Sequence, residues 1–385
     1  MNTICKILML LMLAAASAFA CAEAEPDAGG DNAVGAEPSM FKLAGFGTLG
    51  VSHSSQSLGD YVLDGTAPKG PGRSGNWFIG NDTRLGIQAT ADFTREISAV
   101  LQVISEYQSD NTYRPEIEWA NVKYAFTPDV YVQVGRIALP TFLNSDSRKV
   151  GYSYPWVHPP VDLYRQLAIT NSDGVDFVYR VEVSEAVNSV KVQYGKNRIE
   201  RPTFISSSED MWGVFDTLEY GFSTFRIGYQ KRISSSMSLL TGQAGAWIPN
   251  SDLSLGVNYD NGDWFAVSEW IQRESTTKQA AMYVSGGYRI DRFTPYLTYS
   301  QNSPGSFLPG FPPPTAAAMQ TANRAQSTVS AGVKWDFMKN TDFKLQYDQV
   351  RLSNNSNGYL VNLPANTILY GSRFHVISAV VDFVF

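Results

Sequence analysis

The chain has 385 residues, of which 44% are hydrophobic and 17% are charged, and its formal net charge is −6. This mixture is too polar for a bundle of membrane-spanning helices, and without a basic run or stripe it excludes a nucleic-acid-binding protein. Aromatic residues make up 13% of the chain. That share is high for a soluble enzyme and typical of a β-barrel with aromatic girdles at two membrane interfaces.

The first twenty residues have the pattern of a secretory signal peptide. Lys6 supplies a positive charge, residues 7–16 form a short apolar core, and Ala18-Phe19-Ala20 offers a small-x-small cleavage site. A membrane-spanning helix needs about 20 apolar residues, so the pattern favours a cleaved signal over an N-terminal anchor. We therefore predict a signal peptide at 1–20.

Cleavage would leave Cys21 as the sole cysteine, so the mature chain has no internal disulfide. Cys21 also raises the alternative of a lipoprotein, but Phe19 stands where a lipobox has a small residue. Removal of Lys6 leaves 29 basic and 36 acidic side chains, a net charge of −7. Residues 21–40 are acidic, rich in Ala, Gly and Pro, and lack an apolar period, which predicts a disordered periplasmic leader.

From residue 41 to the end, segments of about ten residues alternate in polarity, the pattern of a transmembrane β-barrel. In 342–348, for example, the apolar residues Phe343, Leu345 and Tyr347 alternate with Lys344, Gln346 and Asp348. We predict one antiparallel barrel over 41–385, with fourteen or eighteen strands as alternatives to sixteen. The sixteen predicted strands are 41–53, 82–93, 97–108, 117–126, 130–137, 173–183, 187–195, 211–219, 223–231, 252–259, 264–273, 280–290, 295–301, 327–337, 342–352 and 374–385.

The predicted connections alternate in length. Short turns are predicted at 94–96, 127–129, 260–263, 291–294 and 338–341. Long polar loops are predicted at 54–80, 137–172, 196–210, 231–250, 301–326 and 353–372. Because transmembrane barrels have short periplasmic turns and longer outer loops, the alternation favours such a barrel over a soluble β-sandwich.

The last predicted strand carries one apolar face, which consists of His375, Ile377, Ala379, Val381, Phe383 and Phe385. A terminal aromatic residue on a lipid-facing strand belongs in an interfacial girdle. Three further segments are FKLAGFGTLGVS at 41–52, DTRLGIQA at 82–89 and VQVGR at 132–136. In this order, and over nearly the whole mature chain, these features resemble the sixteen-stranded porin family of Gram-negative outer membranes.

The resemblance implies a water-filled outer-membrane channel for passive diffusion of ions and small hydrophilic solutes. It also implies a homotrimer in contact with outer-membrane lipid and lipopolysaccharide. Phe383 and Phe385 resemble part of the signal that the barrel-assembly machinery reads. We expect no cofactor, no metal ion and no catalytic residue.

Residues 137–172 are the longest predicted connection and have no strand-like period. Four prolines between 140 and 160 interrupt regular structure, and many aromatic residues favour burial over disorder. By resemblance, this segment occupies the position of the third porin loop, which folds into the barrel and narrows it. The alternative is an ordinary outer loop that packs on the rim.

In the resembled family, basic residues of the wall lie across the channel from acidic residues of this loop. We carry that arrangement to Asp162 in the loop and to arginines on the predicted strands. The parity of Arg136 matches that of outward Val132 and Val134, so it needs a local irregularity to face the lumen. The predicted constriction residues are Arg84, Arg136, Arg180, Asp146, Arg148, Asp162 and Arg165.

An outer-membrane enzyme built on a barrel is a competing function. Such an enzyme needs a nucleophile, a base and an orienting group within hydrogen-bond reach, and the chain has three histidines, His53, His158 and His375. Ser378 has the opposite parity to His375 on the last strand, so the two cannot pair. The sequence has no HExxH, Gly-x-Ser-x-Gly, Walker or paired CxxC motif. We expect no enzymatic activity.

A channel with a binding site for a sugar, phosphate or organic acid is the other alternative. Aromatic residues of the long loop, such as Tyr152 and Trp156, suit either stacking on a solute or packing against the wall. The mature net charge of −7 favours cations, but a net charge says little about one constriction. The sequence leaves these alternatives open.

Overall fold

The computed structural model describes residues 40–167, 169–308, 323–365, 367, 369 and 371–385. In these ranges, sixteen long antiparallel strands form one sheet, which closes into a barrel because the first strand pairs with the last. The strands are β1 (Phe41–Ser54), β2 (Arg84–Asp92), β3 (Ile97–Glu106), β4 (Glu116–Thr127), β5 (Val130–Ala138), β6 (Asn171–Val183), β7 (Ala186–Glu200), β8 (Phe204–Tyr220), β9 (Ser223–Ser238), β10 (Ile248–Asp260), β11 (Trp264–Glu274), β12 (Thr277–Tyr288), β13 (Phe293–Asn302), β14 (Gln326–Met338), β15 (Thr341–Leu352) and β16 (Arg373–Val384).

The sixteen-stranded barrel predicted from the alternation is confirmed. The predicted signal peptide 1–20, Cys21 and the leader 21–40, apart from Met40, lie outside the described residues. In the part of the chain that the structure describes, no helix is long and apolar enough to cross a membrane.

The strands generally have an apolar outer face and a more polar inner face. In β15, Leu345 and Tyr347 are exposed on the outer surface, whereas Lys344 and Asp348 point inward and are buried. The exposed apolar side chains make the surface that a lipid bilayer covers, and the inward polar residues line a space that contains water or other polar groups.

β8 and β9 extend beyond their predicted bounds into the segments 196–210 and 231–250, which the sequence predicts as loops. In this added part of the hairpin, the serines at 206–208 pair in register with the serines at 234–236. Serine is polar on both faces of a strand, so the alternation of polarity on which the prediction depends is absent here.

Short turns connect the strands at one end of the barrel, and the connections at the other end are longer except at 201–203 and 275–276. At the turn end, the connections have two to four residues, and Gly262 and Asn340 adopt the positive φ that tight turns need. At the loop end, three connections bear on the channel: L1 (55–83), L3 (139–170) and L8 (353–372). The predicted segment 137–172 is therefore L3 with two strand residues at each side.

L3 turns into the barrel. Its buried aromatic and aliphatic side chains form one cluster with inward side chains of the wall. From L3 these are Leu139, Phe142, Tyr154, Trp156, Leu163, Tyr164 and Leu167, and from the wall Met211, Phe265, Val267, Ile271, Ala281, Tyr283 and Tyr296. Burial of each large apolar side chain contributes about 1.5–3 kcal/mol. The predicted inward third loop is confirmed, and packing on the rim is wrong.

L1 and L8 cover part of the loop end. Asp60–Tyr61 of L1 pairs with Leu360–Val361 of L8 as a two-stranded sheet. The buried Asp60 carboxylate accepts hydrogen bonds from the Ser74 hydroxyl (2.6 Å) and from the side-chain amide of Asn362 (2.7 Å). These contacts hold the two loops together over L3.

The barrel closes where the chain terminus meets β1. The backbone N–H and C=O of Gly45 both pair with those of Phe385, at 2.9 Å each. A Cβ at Gly45 would lie 2.2 Å from Cζ of Phe385, and one at Gly47 would lie 2.3 Å from Cζ of Phe383. The two glycines therefore leave room for the terminal aromatic rings, which cover the bare backbone of β1.

Gly45→Leu should reduce the folded yield several-fold, because the new side chain takes the place of the Phe385 ring, and such overpacking typically costs about 1–3 kcal/mol. The measurement is the fraction of protein that migrates as the compact, heat-modifiable species before boiling. The matched control is Gly286→Leu in β12, where the Cβ would meet only the Phe265 carbonyl, at 3.4 Å. Equal folded fractions for the two variants would contradict this account of the closure.

Candidate pore constriction

L3 crosses the lumen as an irregular chain with two short helical turns. These are a 3₁₀ turn at Gly151–Ser153 and a single α-helical turn, α1 (Val161–Tyr164). Pro155, Pro159 and Pro160 lie between them. Because proline cannot donate a backbone hydrogen bond, this stretch stays extended, and its polar atoms pair with the wall.

Glu269 of β11 is the main polar anchor of L3. Its carboxylate is buried and accepts hydrogen bonds from the Tyr164 hydroxyl (2.7 Å), the Tyr283 hydroxyl (2.8 Å) and the backbone N–H of Leu143 (2.7 Å). A buried carboxylate is tolerated only when several donors satisfy it. Glu269 thus ties two separate points of L3 to neighbouring strands.

The centre of L3 is fixed by Trp156 and Val157. The indole N–H of Trp156 donates to the Ser285 hydroxyl of β12 at 2.9 Å, and its ring meets that of Tyr283 edge-on, with centroids 5.7 Å apart. The backbone N–H of Val157 donates to Oε1 of Gln346 on β15 at 3.1 Å. L3 therefore contacts the wall from β11 to β15.

Asp162 of α1 anchors the loop and does not face the open lumen. Its carboxylate is fully buried and accepts hydrogen bonds from the Ser300 hydroxyl of β13 (2.7 Å) and from the side-chain amide of Gln326 on β14 (2.7 Å). Burial raises the pKa of Asp162 to about 6. The expectation that Asp162 stands across the channel from wall arginines does not fit this position.

His158 lies between two aspartates. Its Nδ1 is 3.2 Å from the Asp82 carboxylate, and its Nε2 is 3.9 Å from that of Asp348 on β15. Burial disfavours the imidazolium ion and nearby Arg84 repels it, but Asp82 and Asp348 outweigh both, so the pKa of His158 is raised. Protonated His158 is a charged link between L3 and the wall.

The 3₁₀ turn of L3 sits on a buried ionic cluster. The Lys344 ammonium group donates to the Gly151 carbonyl at 2.6 Å and lies 2.9 Å from the Asp382 carboxylate, which also accepts a hydrogen bond from Thr48. A Cβ at residue 151 would come within 1.9 Å of Asp382. Only glycine allows the loop to approach this cluster so closely.

L3 separates two cavities in the lumen. The cavity on the loop-end side has a volume of about 110 Å³, and its lining includes Arg84, Glu106 and Lys149. The cavity on the turn-end side has a volume of about 310 Å³, and its lining includes Asp260 and Lys334. Both linings are rich in charged groups, as expected of a hydrated space.

The lumen stays open mainly on the side of β2–β7. Several inward residues there are partly exposed, among them Gln88 of β2, Gln133 of β5 and Lys191 of β7. Others, such as Gln102 and Asp176, are buried. Under L3, by contrast, the inward residues Thr298 and Ser300 of β13 are buried. Among the described residues, the accessible part of the lumen therefore lies between L3 and β2–β7.

Three predicted residues meet at the loop-end cavity: Arg84, Arg148 and Arg165. Arg148 donates to the carbonyls of Tyr164 (3.0 Å) and Leu167 (3.2 Å) and so holds L3 in shape. Arg165 donates to the carbonyls of Val62 in L1 (2.7 Å) and Tyr359 in L8 (2.8 Å). Each loop arginine is thus a structural contact as well as a charge beside the cavity.

The other predicted residues are dispersed. Asp146 is exposed on L3. Arg180 lies at the turn end of β6, 3.9 Å from Glu182 and far along the barrel from the three arginines of the loop-end cavity.

Arg136 lies on the outer surface of the barrel. The register of β5 is continuous through Gly135, so Arg136 keeps the parity of the outward Val134. It makes a bidentate ion pair with Asp173, at 2.7 and 2.9 Å. The strand has no register shift that would turn Arg136 inward. The parity of Arg136 with Val134 is therefore enough to indicate its outward position.

The sequence reasoning missed the wall residues that hold L3, chiefly Glu269, Ser285, Gln346 and Lys344. One feature of the sequence indicates that L3 covers this part of the wall. The inward face of β11 carries Phe265, Val267 and Ile271 beside Glu269, and such apolar residues in a wet lumen indicate that another segment covers them.

No protein-family model and no curated protein matches the chain. Solved structures match nearly all of it. Outer-membrane expressed OmpT of Vibrio cholerae aligns with a TM-score of 0.56 and 14% identity, over 91% of this chain and 99% of its own. DcaP, an outer membrane channel of Acinetobacter baumannii, has a TM-score of 0.56 and 12% identity, over 90% and 97%. The anion-selective porin from Comamonas acidovorans has a TM-score of 0.54 and 12% identity, over 90% and 99%.

The chain folds as an outer-membrane β-barrel. The apolar outer surface, the closed sheet of sixteen strands and these alignments agree on that point. At 12–14% identity the likeness extends to the fold and not to a solute, so the function of this barrel has to be argued from its own residues.

Docking of L3 should become more favourable as pH falls from 8 to 5. Docked Asp162 has a pKa of about 6, above the usual value of an aspartate, and docked His158 also has a raised pKa, so both groups take up protons on docking. The stabilisation is present at acid pH and is lost as pH rises through the docked pKa values. Each proton changes the docking free energy by up to about 1.4 kcal/mol per pH unit.

The measurement is hydrogen exchange of 151–167 by mass spectrometry, corrected for the intrinsic exchange rate at each pH. Protection should rise toward pH 5 in the parent, and the double variant Asp162→Asn, His158→Gln should flatten the dependence. Protection that increases with pH, or an unchanged dependence in the double variant, would contradict this assignment.

Proposed function

We propose that the protein is a porin, a water-filled channel through which ions and small hydrophilic solutes diffuse passively across the outer membrane. The observation that carries the proposal is L3, docked across the lumen with a polar cavity on each side. Sixteen strands enclose an aqueous channel and not a packed core, so a loop anchored inside the channel limits the size of the solutes that pass. Long loops outside and short turns in the periplasm suit this role.

The proposal includes no enzymatic activity. Nδ1 of His375 lies 2.5 Å from the Tyr347 hydroxyl on the outer surface, whereas Ser378 of the same strand is buried on the inner face. His158 is held between Asp82 and Asp348, and a base held by two carboxylates has no nucleophile to activate.

In the membrane, we propose a homotrimer surrounded by outer-membrane lipid and lipopolysaccharide, and inserted by the barrel-assembly machinery. Support comes from the resemblance of the sequence to porins and from one structure of the same fold, OmpT of Vibrio cholerae, which is described in a trimer form.

Crosslinking of intact membranes should give a series of bands that ends at three times the monomer mass. The trimer contact in this proposal does not use L3, so a variant with a shortened L3 should give the same series. Bands at the monomer mass alone, across a range of crosslinker concentrations, would rule out the trimer and leave the channel proposal in place.

Shortening L3 should increase the single-channel conductance several-fold. Replacement of 143–166 by a short Gly-Ser linker removes the layer that covers β11–β15, including Trp156 and Asp162, and widens the path for ions. The measurement is single-channel current in planar bilayers, on protein first shown to be heat-modifiable. A matched control shortens the exposed connection between β9 and β10 at 240–243, which should leave the conductance unchanged.

Two outcomes would contradict the proposal, and they differ in meaning. A parent protein that forms no channels would overturn the porin function itself. Equal conductance of the parent and the L3 variant would show that the constriction lies elsewhere in a working channel.

A further inference from the structure

The loop-end cavity has an excess of positive charge. Its volume is about 110 Å³, and it is bounded by L1, L3, the strands β2, β3 and β4, and the connections that follow β3 and β7. That volume suits several water molecules or one small solute group. The arginine and lysine side chains in its lining are Arg84, Arg148, Lys149, Arg165 and Arg201, and the carboxylates are Asp64, Glu106 and Glu116. His158 also lines it and is a further cation when protonated, between Asp82 and Asp348.

Two of the five arginine and lysine side chains form ion pairs with carboxylates, whereas Arg84 lies opposite Glu106 in the pairing of β2 with β3 without forming an ion pair. Lys149 forms an ion pair with Glu106, and Arg201 lies 3.9 Å from Glu116, which also contacts Arg114 at 3.4 Å. Asp64 binds the hydroxyl and the backbone N–H of Thr66 and has no ion pair with any described residue.

The other three cations have no carboxylate within ion-pair distance among the residues that the structure describes. Arg148 and Arg165 donate to backbone carbonyls of the loops. A carbonyl orients a guanidinium group without neutralising its charge. Arg84 uses Nε to donate to the Asp82 carbonyl at 3.2 Å, and its two terminal nitrogens have no hydrogen-bond partner in the described ranges.

We propose that this cavity is a transient binding site for small oxyanions, either phosphate or short carboxylates, on the solute path. The inference rests on the proposed channel function and names the class of solute that the channel favours. Guanidinium groups match the geometry of oxyanions, since two N–H groups can donate to two oxygens at once. Arg84 has that pair of donors free, and Arg148 and Arg165 add charge from fixed positions.

The site also has the moderate affinity that a channel needs. A conducting pore must bind its solute well enough to admit it and weakly enough to release it. The carboxylates of Glu106 and Asp64 bring negative charge to the edge of the cavity, which limits how tightly an anion is held. The net charge of the whole chain, −6, does not decide selectivity, because charges beyond a Debye length of about 8–10 Å are largely screened.

The test uses the full-length protein in planar bilayers. The reversal potential in a KCl gradient gives the ion preference, and inorganic phosphate, succinate and uncharged glucose are each added at the loop end to block the chloride current. Arg84→Gln removes the free donors and keeps every hydrogen bond between L3 and the wall, because the hydrogen bond of Arg84 goes to the Asp82 carbonyl of L1. Arg351→Gln is the matched control, because Arg351 is an exposed outward residue near the same end of the barrel.

The parent should prefer chloride to potassium, and phosphate or succinate should block its current where glucose does not. Arg84→Gln should abolish the preference and raise the half-blocking concentration of the anion about tenfold, whereas Arg351→Gln should behave as the parent. Arg84→Lys keeps the charge but loses the paired donors, so it should retain the chloride preference and weaken the block. The stronger of the phosphate and succinate effects identifies the solute class.

A cation-preferring parent channel, or equal effects of Arg84→Gln and Arg351→Gln, would overturn the anion site and leave the porin function standing. A parent without channel activity would overturn the porin function instead. Block by glucose as strong as that by phosphate and succinate would show that size, and not charge, governs the cavity.

Discussion

The wall side chains of a sixteen-stranded barrel cannot fill its lumen, and the rest of this structure depends on the docking of L3 against the inner wall. The contact combines an apolar cluster with buried polar groups, and neither half suffices by itself. Without L3, Phe265 and Ile271 would face water. Glu269 and Lys344 would each lose hydrogen bonds to L3. An unpaired buried charge is costly in free energy. The charged groups of the wall therefore favour the one position of L3 in which they are paired.

Docking on one side of the lumen decides which residues a solute meets. L3 covers β11–β15, so the proposed path runs along β2–β7, past Arg84 and the exposed Asp146 of L3. The distribution of charge there differs from that implied by the porin resemblance. The acidic Asp162 is buried as an anchor, and the loop presents Arg148 and Arg165 to the cavity.

Much of the fold could be predicted because the physical cause is local. A strand between lipid and water must alternate in polarity. This alternation predicts where the sixteen strands lie and which side chains face outward, including that of Arg136. The hairpin of β8 and β9 escaped prediction at 204–210 and 232–238, since serines leave both faces polar. In the same way, nothing local reveals that Gly45 and Gly47 make room for Phe385 and Phe383.

The candidate site was less predictable, because the role of a charged residue depends on what lies opposite it after folding. Asp162 and Arg165 are neighbours of similar polarity in the sequence. Three-dimensional contacts make the first an anchor to β13 and β14 and the second a link between L1 and L8. The length of L3, its prolines and its many aromatic residues indicate that the loop packs inside the barrel. They do not indicate which strands it packs against.

Thiol accessibility shows which side of the lumen L3 leaves open. In a Cys21→Ser background, a single cysteine is placed at Gln88, on the inner face of β2, or at Thr298, buried on β13 beneath L3. A charged methanethiosulfonate reagent should modify the cysteine at 88 within minutes and lower the single-channel conductance. The cysteine at 298 should react only after denaturation. Equal reaction rates at the two positions in the folded channel would contradict the account.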